Sequence, residues 1–250
     1  MSFQSEYANV YDLFHAGKNY HFEIESILKL LPGNYFSNHS VKILDFGCGT
    51  GIHLHELDKE GFEVVGYDFS PAMIEKAKLR APNLFFTSDF SKVGKGFGLA
   101  LSLFDVVSYQ NSHAQLEVML EMMTSVLDSG GRLILDSWQT EGVCVDPPDL
   151  SVREVTFGGE IYERSVRPLS MNETEEKNGS LQFDLEVKVV NKTHGTVLSN
   201  ELHQVRTWSG KEITQIGTQV GLKLISRFNP KDFGESSQTD WRVGLILEKL

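Results

Sequence analysis

Two acidic residues and three glycines form the pattern in this chain that is best suited to chemistry. Asp45 ends an apolar run, and Gly47, Gly49 and Gly51 follow it at alternate positions. A second apolar run ends in Asp68. Glycines at this spacing let the backbone turn tightly and approach a ligand, and the following helix adds free N–H groups. Because both strands end in an acid, the pattern predicts a bound nucleoside rather than a turn that only connects a strand to a helix.

The spacing of the glycines distinguishes between two nucleoside cofactors. A dinucleotide site has the pattern G-x-G-x-x-G, whereas this chain has G-x-G-x-G with an acid two residues earlier. S-adenosylmethionine (SAM) has no pyrophosphate, but its α-amino group and sulfonium are positive and suit Asp45. In either case Asp68 accepts hydrogen bonds from the ribose hydroxyls, each worth about 1.5–3 kcal/mol. The pattern favours SAM. An NAD-dependent oxidoreductase and a catalytically silent SAM-binding protein stay open as alternatives.

Alternating strands and helices up to Trp138 must position these residues. The predicted strands are Val41–Phe46, Phe62–Tyr67, Leu84–Thr87, Gly98–Leu103 and Arg132–Trp138. The predicted helices between them are His53–Glu60, Pro71–Arg80 and Leu116–Leu127, the last closed by Gly130 and Gly131. This order predicts a mostly parallel sheet with right-handed crossovers and helices on both faces, in an α/β fold that is Rossmann-like and doubly wound.

The pattern changes to antiparallel strands after Trp138. Four further strands are predicted in residues 139–208, at Val152–Phe157, Ile161–Val166, Leu181–Val190 and Val197–Arg206. We expect this insertion near the carboxyl ends of the parallel strands, where it caps the acceptor, forms a homodimer interface or extends the sheet edge passively. The parallel domain, residues 1–138 and 209–250, resumes with helix Lys211–Val220 and strands Lys223–Phe228 and Arg242–Leu247, which completes seven strands.

Three segments in order carry a resemblance to a known family. Asp45-Phe-Gly-Cys-Gly-Thr-Gly51, Gly66-Tyr-Asp-Phe-Ser-Pro-Ala-Met73 and Thr87-Ser-Asp-Phe90 resemble the motif series of class I SAM-dependent methyltransferases. Tyr11-Asp-Leu-Phe-His-Ala-Gly-Lys-Asn-Tyr20 is similar to the start of methyltransferases that act on nucleotide-linked deoxyamino sugars, and Trp241-Arg-Val-Gly-Leu245 fits the same group less specifically. The resemblance implies methyl transfer from SAM, with S-adenosylhomocysteine as product, to an amino or hydroxyl group of a small polar metabolite such as a nucleotide-linked sugar.

The resemblance also implies which residues bind the cofactor. Tyr11 and Tyr20 lie where a lid over the cofactor is usual, although both also suit simple packing of an N-terminal helix. Asp89 matches the acid that meets the adenine amino group, with Phe90 beside the ring. The full predicted cofactor set is Tyr11, Tyr20, Asp45, Gly47, Cys48, Gly49, His53, Asp68, Phe69, Met73, Ser88, Asp89, Phe90 and Leu103.

Methyl transfer is an in-line displacement, so alignment and exclusion of water supply most of the rate, and an amine or hydroxyl acceptor must also lose a proton. The segment after the fourth strand should pass the methyl group. It offers Asp105, Tyr109 and His113 as catalytic candidates, with His113 as the base because imidazole titrates near pH 6.5. The alternative for His113 is a solvent-exposed residue at a helix start, and Asp105 alternatively binds the acceptor. The predicted substrate-binding residues are Asn111, Trp138, Arg206 and Arg242, and His203 on the last inserted strand could face the same pocket.

Composition excludes several partners. A net charge of -11 disfavours nucleic acid and anionic membranes, and no apolar run approaches the roughly 20 residues that span a bilayer. Only two cysteines occur and no secretion signal is visible at the start, so we expect a cytoplasmic protein with reduced thiols. Asp136 ends the fifth strand without a second acid at ligand spacing, so no metal is predicted.

Overall fold

The computed structural model describes residues 3, 5–33, 35–36, 41–174 and 179–250. Its main sheet has seven strands: β1 (Lys42–Phe46), β2 (Glu63–Tyr67), β3 (Phe85–Thr87), β4 (Phe97–Ser102), β5 (Leu127–Trp138), β10 (Leu222–Phe228) and β11 (Arg242–Lys249). Their order across the sheet is β10-β11-β5-β4-β1-β2-β3. The strands β1 to β5 pair in parallel, and β11 runs antiparallel to both of its neighbours.

Helices cover both faces of this sheet. They are α3 (Ile52–Lys59), α4 (Pro71–Arg80), α5 (His113–Val126) and α7 (Gly210–Gln219), together with α1 (Ser5–His15) and α2 (Tyr20–Lys29) before the first strand. Two apolar clusters of buried residues fill the space on the two sides of the sheet. The predicted glycine closure of α5 is wrong. The helix ends at Val126, and Gly130 and Gly131 already belong to β5, because Leu127 turns extended and joins the sheet.

Hydrogen bonds and an ion pair hold the N-terminal helix α1 over the glycine turn. Asp12 accepts a 2.6 Å hydrogen bond from the Thr50 hydroxyl and pairs with Arg80 of α4. The hydroxyl of Ser70 donates to the carbonyl of Phe3 over 2.7 Å. These contacts place the aromatic residues of α1 beside the carboxyl ends of the parallel strands.

The insertion after β5 is an antiparallel sheet of four strands in the order β6-β7-β8-β9. It begins with a short helix, α6 (Thr140–Val145), which the sequence did not predict, and continues with β6 (Ser151–Phe157), β7 (Glu160–Glu173), β8 (Leu181–Asn191) and β9 (Thr196–Arg206). Strand β7 runs beyond its predicted end at Val166. This sheet packs against α1, where Tyr7, Val10 and Phe14 contact Val187 and Val189 of β8.

The predicted fold class is therefore confirmed, including the antiparallel insertion after the fifth strand. The division into a domain of residues 1–138 and 209–250 and an insertion of residues 139–208 stays a prediction. Within the described part of the chain, no helix has the length and apolar character needed to cross a membrane.

Candidate active site

The glycine turn after β1 is tied to the end of β2. The N–H groups of Gly47 and Cys48 both donate to the carbonyl of Tyr67, over 2.7 and 3.0 Å. Asp68 accepts a 2.8 Å hydrogen bond from the N–H of Gly49 and another of 2.8 Å from the N–H of Ser70. The carboxylate of Asp68 is therefore held in one orientation at the edge of the turn.

Two glycines of the turn are required for different reasons. Gly47 has φ +84°, and a Cβ there would lie 2.5 Å from Cγ2 of Val106. Gly49 has φ +53°, and a Cβ there would meet nothing within 4 Å, because it would project into open space. Both backbone conformations are in the left-handed region, which L side chains rarely adopt. The first glycine lets the loop after β4 approach, and the second leaves room for a ligand.

That open space is a cavity of about 500 Å³ at the carboxyl ends of the parallel strands. Seven of the predicted cofactor residues line it: Tyr11, Gly47, Gly49, Asp68, Phe69, Met73 and Leu103. Phe46 and Tyr67 form part of the same wall. Met119 and Met122 of α5 also line it. The carboxylate of Asp68 and the apolar side chains along the walls suit a nucleoside that carries a cationic tail.

Two carboxylates lie at the ends of β1 and β2, and Asp68 is the one that lines the cavity. Asp45 is buried at the end of β1, and its Oδ2 has no hydrogen-bond partner among the described residues. Burial raises the pKa of Asp45 to about 6, with the charges of nearby acids adding to the effect. Burial also raises the pKa of Asp68 to about 6, against the hydrogen bonds from Ser70 and Gly49. An orphaned buried carboxylate oxygen fits the α-amino group of SAM, and Asp68 fits its ribose hydroxyls.

Seven predicted cofactor residues, Asp45 among them, are not part of the cavity wall, as far as the described residues define it. The side chains of the other six engage other parts of the protein. Nε2 of His53 lies 2.8 Å from Glu23, and Tyr20 stacks on Phe104 at 6.3 Å between ring centroids. The exposed Asp89 accepts hydrogen bonds from Ser91 at the start of a short 3₁₀ helix. The other three are Cys48, which is buried behind the turn, the exposed Ser88, and Phe90, which packs on Phe46 and Tyr67.

A second cavity of about 450 Å³ lies between the glycine turn and the inserted sheet. It shares Phe3, Tyr11, Phe104 and Tyr109 with the first cavity, so the two chambers meet at these aromatic residues. Four residues predicted for catalysis or acceptor binding line it, namely Asp105, Tyr109, Trp138 and Arg242. The arrangement can hold a second molecule next to the reactive end of the first.

The floor of this second cavity is charged. Phe104 and Asp105 both have positive φ, 68° and 62°, which turns the Asp105 side chain toward Arg242. Oδ2 of Asp105 lies 2.6 Å from Nη2 of Arg242, while its buried Oδ1 has no hydrogen-bond partner among the described residues. The N–H of Asp105 donates to Asp136 over 2.7 Å. Burial, reinforced by the charge of Asp105, raises the pKa of Asp136 to about 7. The free oxygen of Asp105 can accept a hydrogen bond from a substrate.

A chain of hydrogen bonds leads from Tyr109 into the inserted sheet. The Tyr109 hydroxyl lies 2.9 Å from Nδ1 of His203, and Nε2 of His203 lies 3.0 Å from Oε2 of Glu201. The side chains of His203 and Glu201 are only 3% and 4% exposed. Burial raises the pKa of the Tyr109 hydroxyl well above its ordinary value. Tyr109 therefore stays a neutral hydrogen-bonding group at ordinary pH.

Three other predicted site residues, Asn111, His113 and Arg206, do not line either cavity. Nε2 of His113 lies 3.2 Å from Oε1 of Glu212, and the buried Arg206 donates to the same oxygen over 3.2 Å. The side-chain amide of Asn111 donates to Gln204 over 3.0 Å. His113 and Arg206 thus join the start of α5, β9 and α7, and neither residue lines the two cavities.

Comparison with known proteins concerns the part of the chain that forms β1 to β5. Residues 37–146 match the model of the family described as "Methyltransferase domain". This stretch contains the glycine turn, Asp68 and the loop with Tyr109. Residues 37–146 form a methyltransferase domain. The predicted cofactor SAM and the predicted enzyme class are therefore confirmed, and the NAD-dependent oxidoreductase alternative is not favoured.

Relatives of this methyltransferase are similar over different lengths. It is 29% identical over 142 residues to dTDP-3-amino-3,4,6-trideoxy-alpha-D-glucopyranose N,N-dimethyltransferase of Streptomyces venezuelae, which covers 54% of this chain and 59% of that protein. It is 24% identical over 229 residues to dTDP-3-amino-3,6-dideoxy-alpha-D-glucopyranose N,N-dimethyltransferase of Streptomyces fradiae, which covers 89% of this chain and 86% of that protein. Among solved structures, Streptomyces venezuelae DesVI superposes with a TM-score of 0.76 at 21% identity, over 99% of this chain and 100% of that chain. The resemblance found in the sequence is confirmed.

The sequence of this methyltransferase did not lead us to several residues of the second cavity. Tyr7, Arg164, Glu201 and Trp241 were not selected as site residues, although Arg164 and Trp241 line the cavity and Tyr7 hydrogen bonds to Arg164 over 2.9 Å. The pattern that could have predicted Glu201 as a site residue is the two-residue period of an antiparallel strand, which puts Glu201, His203 and Val205 on one face. Charged residues on a strand face that also carries buried apolar residues indicate such a site.

Proposed function

We propose that this methyltransferase transfers the methyl group of SAM to the amino group of a nucleotide-linked amino sugar. The observation that carries the proposal is the meeting of the two cavities at Tyr109, with Asp105 in the wall of the second cavity and its Oδ1 without a hydrogen-bond partner among the described residues. An amine is a hydrogen-bond donor that becomes positive when protonated, so a buried carboxylate oxygen suits it better than it suits a neutral hydroxyl.

Each chamber has a separate task in this proposal. SAM supplies an electrophilic methyl group on its sulfonium when bound. Asp45 and Asp68 hold the cationic tail and ribose, and Asp105 and Tyr109 orient the acceptor nitrogen. Trp138 and Trp241, with ring centroids 4.5 Å apart, form an apolar wall that excludes water from the acceptor side. The catalysis expected here is mainly alignment of the two reactants.

The charge of the second cavity supports a phosphorylated acceptor. Arg164 and Arg242 both line it, although the chain as a whole has a net charge of -11. Guanidinium groups recognise phosphate with paired hydrogen bonds. The two Streptomyces relatives support the same acceptor class, because each is named as an N,N-dimethyltransferase of a dTDP-linked amino sugar.

The test is transfer of labelled methyl from SAM to a panel of nucleotide-linked sugars with and without amino groups. Label on the amino sugars alone is expected. Label on sugars that carry only hydroxyl groups would keep the methyltransferase and overturn the amino acceptor. SAM binding without label on any acceptor would favour other metabolites or a catalytically silent protein.

We also propose a cytoplasmic location and a homodimer for this protein. The thiols of Cys48 and Cys144 are both free, which suits a reducing compartment. The inserted sheet exposes apolar side chains such as Leu169, Met171 and Leu202, which a second copy could cover. The expected absence of a nucleic-acid partner and of a metal stays a prediction. Size-exclusion chromatography with light scattering tests the homodimer.

A further inference from the structure

The buried His203 lines the second cavity and has no role in the proposed function so far described. His203 lies on β9 and pairs with Leu185 of β8. Other parts of the chain also contact its imidazole. Tyr7 of α1 and Phe3 place their rings 5.8 and 5.0 Å from it, and Tyr109 approaches from the loop after β4. A histidine with such restricted exposure, hydrogen bonded at both ring nitrogens, is held in one orientation.

The partners of His203 determine its tautomer. A carboxylate only accepts hydrogen bonds, so the contact with Glu201 requires a proton on Nε2. Nδ1 is then an acceptor, and the Tyr109 hydroxyl donates to it. The N–H of Phe3 donates to the same Oε2 of Glu201 over 2.6 Å, which fixes the carboxylate as well. Tyr109 lines both cavities, and its oxygen keeps a second lone pair with which it can accept a hydrogen bond from a substrate.

We propose that His203, acting through the Tyr109 hydroxyl, accepts the proton that an ammonium acceptor must lose before methylation. This inference rests on the proposed amino acceptor and deepens it. His203 is a positioning residue in this scheme, because it reaches the substrate only through Tyr109. The base is therefore located on the inserted sheet and not on α5.

The proton transfer balances without any further reactant. The N–H bond of the ammonium breaks and its proton moves to Oη of Tyr109. The hydroxyl's own proton moves to Nδ1 of His203, and the resulting imidazolium is stabilised by the carboxylate of Glu201. The lone pair left on nitrogen then attacks the methyl carbon, and the C–S electron pair returns to sulfur. His203 returns its proton to water after product release.

The charges around the imidazole fit this role. Arg164 of β7 lines the same cavity and disfavours an imidazolium, while Glu201 and Asp105 favour it. Tyr7 and Tyr11 of α1 are neutral, because burial raises the pKa of both hydroxyls. The raised pKa of Tyr109 has the same cause and means that the tyrosine conducts a proton without keeping a negative charge.

The variant that tests the relay is His203→Gln. A glutamine can accept from Tyr109 through its oxygen and donate to Glu201 through its nitrogen, but it cannot take up a proton. With a nucleotide-linked amino sugar, we expect kcat/KM at about pH 7 to fall by at least about tenfold, within the range of general base catalysis. At about pH 10, where an aliphatic amine gives up its proton to water, we expect the variant to approach the wild type to within about threefold.

Controls separate this role from a structural one. His194 also pairs with a glutamate of the inserted sheet, Glu160, at 2.8 Å, but lies at an exposed hairpin, so His194→Gln should keep the wild-type pH profile. The SAM affinity of His203→Gln, measured by calorimetry, should equal that of the wild type. If His203→Gln does not fold, Tyr109→Phe removes only the bridging oxygen and should lose more activity at neutral pH than at high pH, with partial recovery because the same hydroxyl also orients the acceptor nitrogen.

The outcomes distinguish the two proposals. A wild type that methylates no amino sugar overturns the proposed function. A wild type that does so, with a His203→Gln variant that loses activity by the same factor at every pH or not at all, overturns the relay alone. Recovery at high pH, confined to His203→Gln and Tyr109→Phe, supports it.

Discussion

His113 and Glu212 face each other where α5 and α7 begin, with Nε2 of the imidazole 3.2 Å from Oε1 of the carboxylate. The imidazole also stacks on Trp208 at 5.7 Å between ring centroids. Ser209 caps α7 and exchanges hydrogen bonds with Glu212 in a capping box. The histidine that the sequence suggested as the base therefore serves a contact between two helix ends.

His113→Asn should consequently leave catalysis intact. We expect kcat and KM within about twofold of the wild type, and a loss of unfolding free energy of about 1 kcal/mol or less, because the pair is partly exposed. Steady-state kinetics and thermal denaturation measure both. A loss of about a hundredfold in kcat with unchanged stability would restore His113 as the base.

Asp68→Ala should weaken SAM binding by at least about tenfold. The carboxylate lines the first cavity, and hydrogen bonds to a charged acceptor are worth roughly 1.5–3 kcal/mol each. Isothermal titration calorimetry gives the affinity. Asp58→Ala, on the exposed face of α3, is the matched control and should bind SAM as the wild type does. Equal affinities of the two variants would place the nucleoside elsewhere.

SAM affinity should fall as the pH drops below about 6. Burial raises the pKa of Asp45 and of Asp68 to about 6 in the free protein, whereas the cationic and hydroxyl groups of SAM favour the ionised carboxylates. Binding below that pH must release protons, so Kd should rise by roughly tenfold per pH unit for each carboxylate that has to ionise. Above about pH 7 the affinity should be constant.

Calorimetry in buffers of different ionisation enthalpy measures the released protons directly. We expect release at pH 5.5 and none at pH 8. Asp45→Asn should bind SAM more weakly at pH 8 and release fewer protons at pH 5.5. Proton uptake at the lower pH, or a Kd that does not change between the two, would contradict this account of the cavity.

Gly47→Ala should be more harmful than Gly61→Ala, although the two glycines have nearly the same φ, +84° and +87°. Both variants place an L side chain in the left-handed region, which costs about 1–2 kcal/mol. Only at Gly47 does the new Cβ collide, at 2.5 Å from Cγ2 of Val106, whereas nothing lies within 4 Å at Gly61. Chemical denaturation gives the two free energies of unfolding.

The double variant Gly47→Ala with Val106→Ala isolates the collision. It should recover most of the stability difference from Gly61→Ala, less the cost of shortening Val106 itself. Equal stability of the two single glycine variants would mean that the loop after β4 does not press against the glycine turn.

Asp105→Asn should raise KM for the amino-sugar acceptor by at least about tenfold, because a hydrogen bond to an ionised group contributes about 1.5–3 kcal/mol. Asparagine tolerates the positive φ of 62° at this position, so the backbone should not change. The SAM affinity should stay within about twofold, because Asp105 lines only the second cavity. A rise in the SAM Kd with an unchanged acceptor KM would assign Asp105 to the first cavity.

Much of the parallel domain could be predicted from local pattern. Local sequence determines three features: the strand that contains Asp45, the glycine turn and the cap of α4 at Ser70. Their residue types alone therefore predict them. The cofactor cavity followed for the same reason, since Gly47, Gly49 and Asp68 lie at the ends of consecutive strands. Cys48, His53 and Asp89 belong to the same motifs, but their neighbours in three dimensions turn them away from the cavity.

The acceptor side depended on contacts between distant segments. Tyr109 and His203 are 94 residues apart, and only the packing of the inserted sheet over the loop after β4 joins them. His113 and Arg206 have side chains that could serve as a base and as an anion-binding group. In the structure both contact Glu212 at the capped start of α7. The sequence by itself determined the fold class and the cofactor, because short-range periodicity and glycine spacing encode them. The tertiary structure alone decided which polar side chains share the acceptor cavity, since the direction of a side chain depends on the elements packed against it.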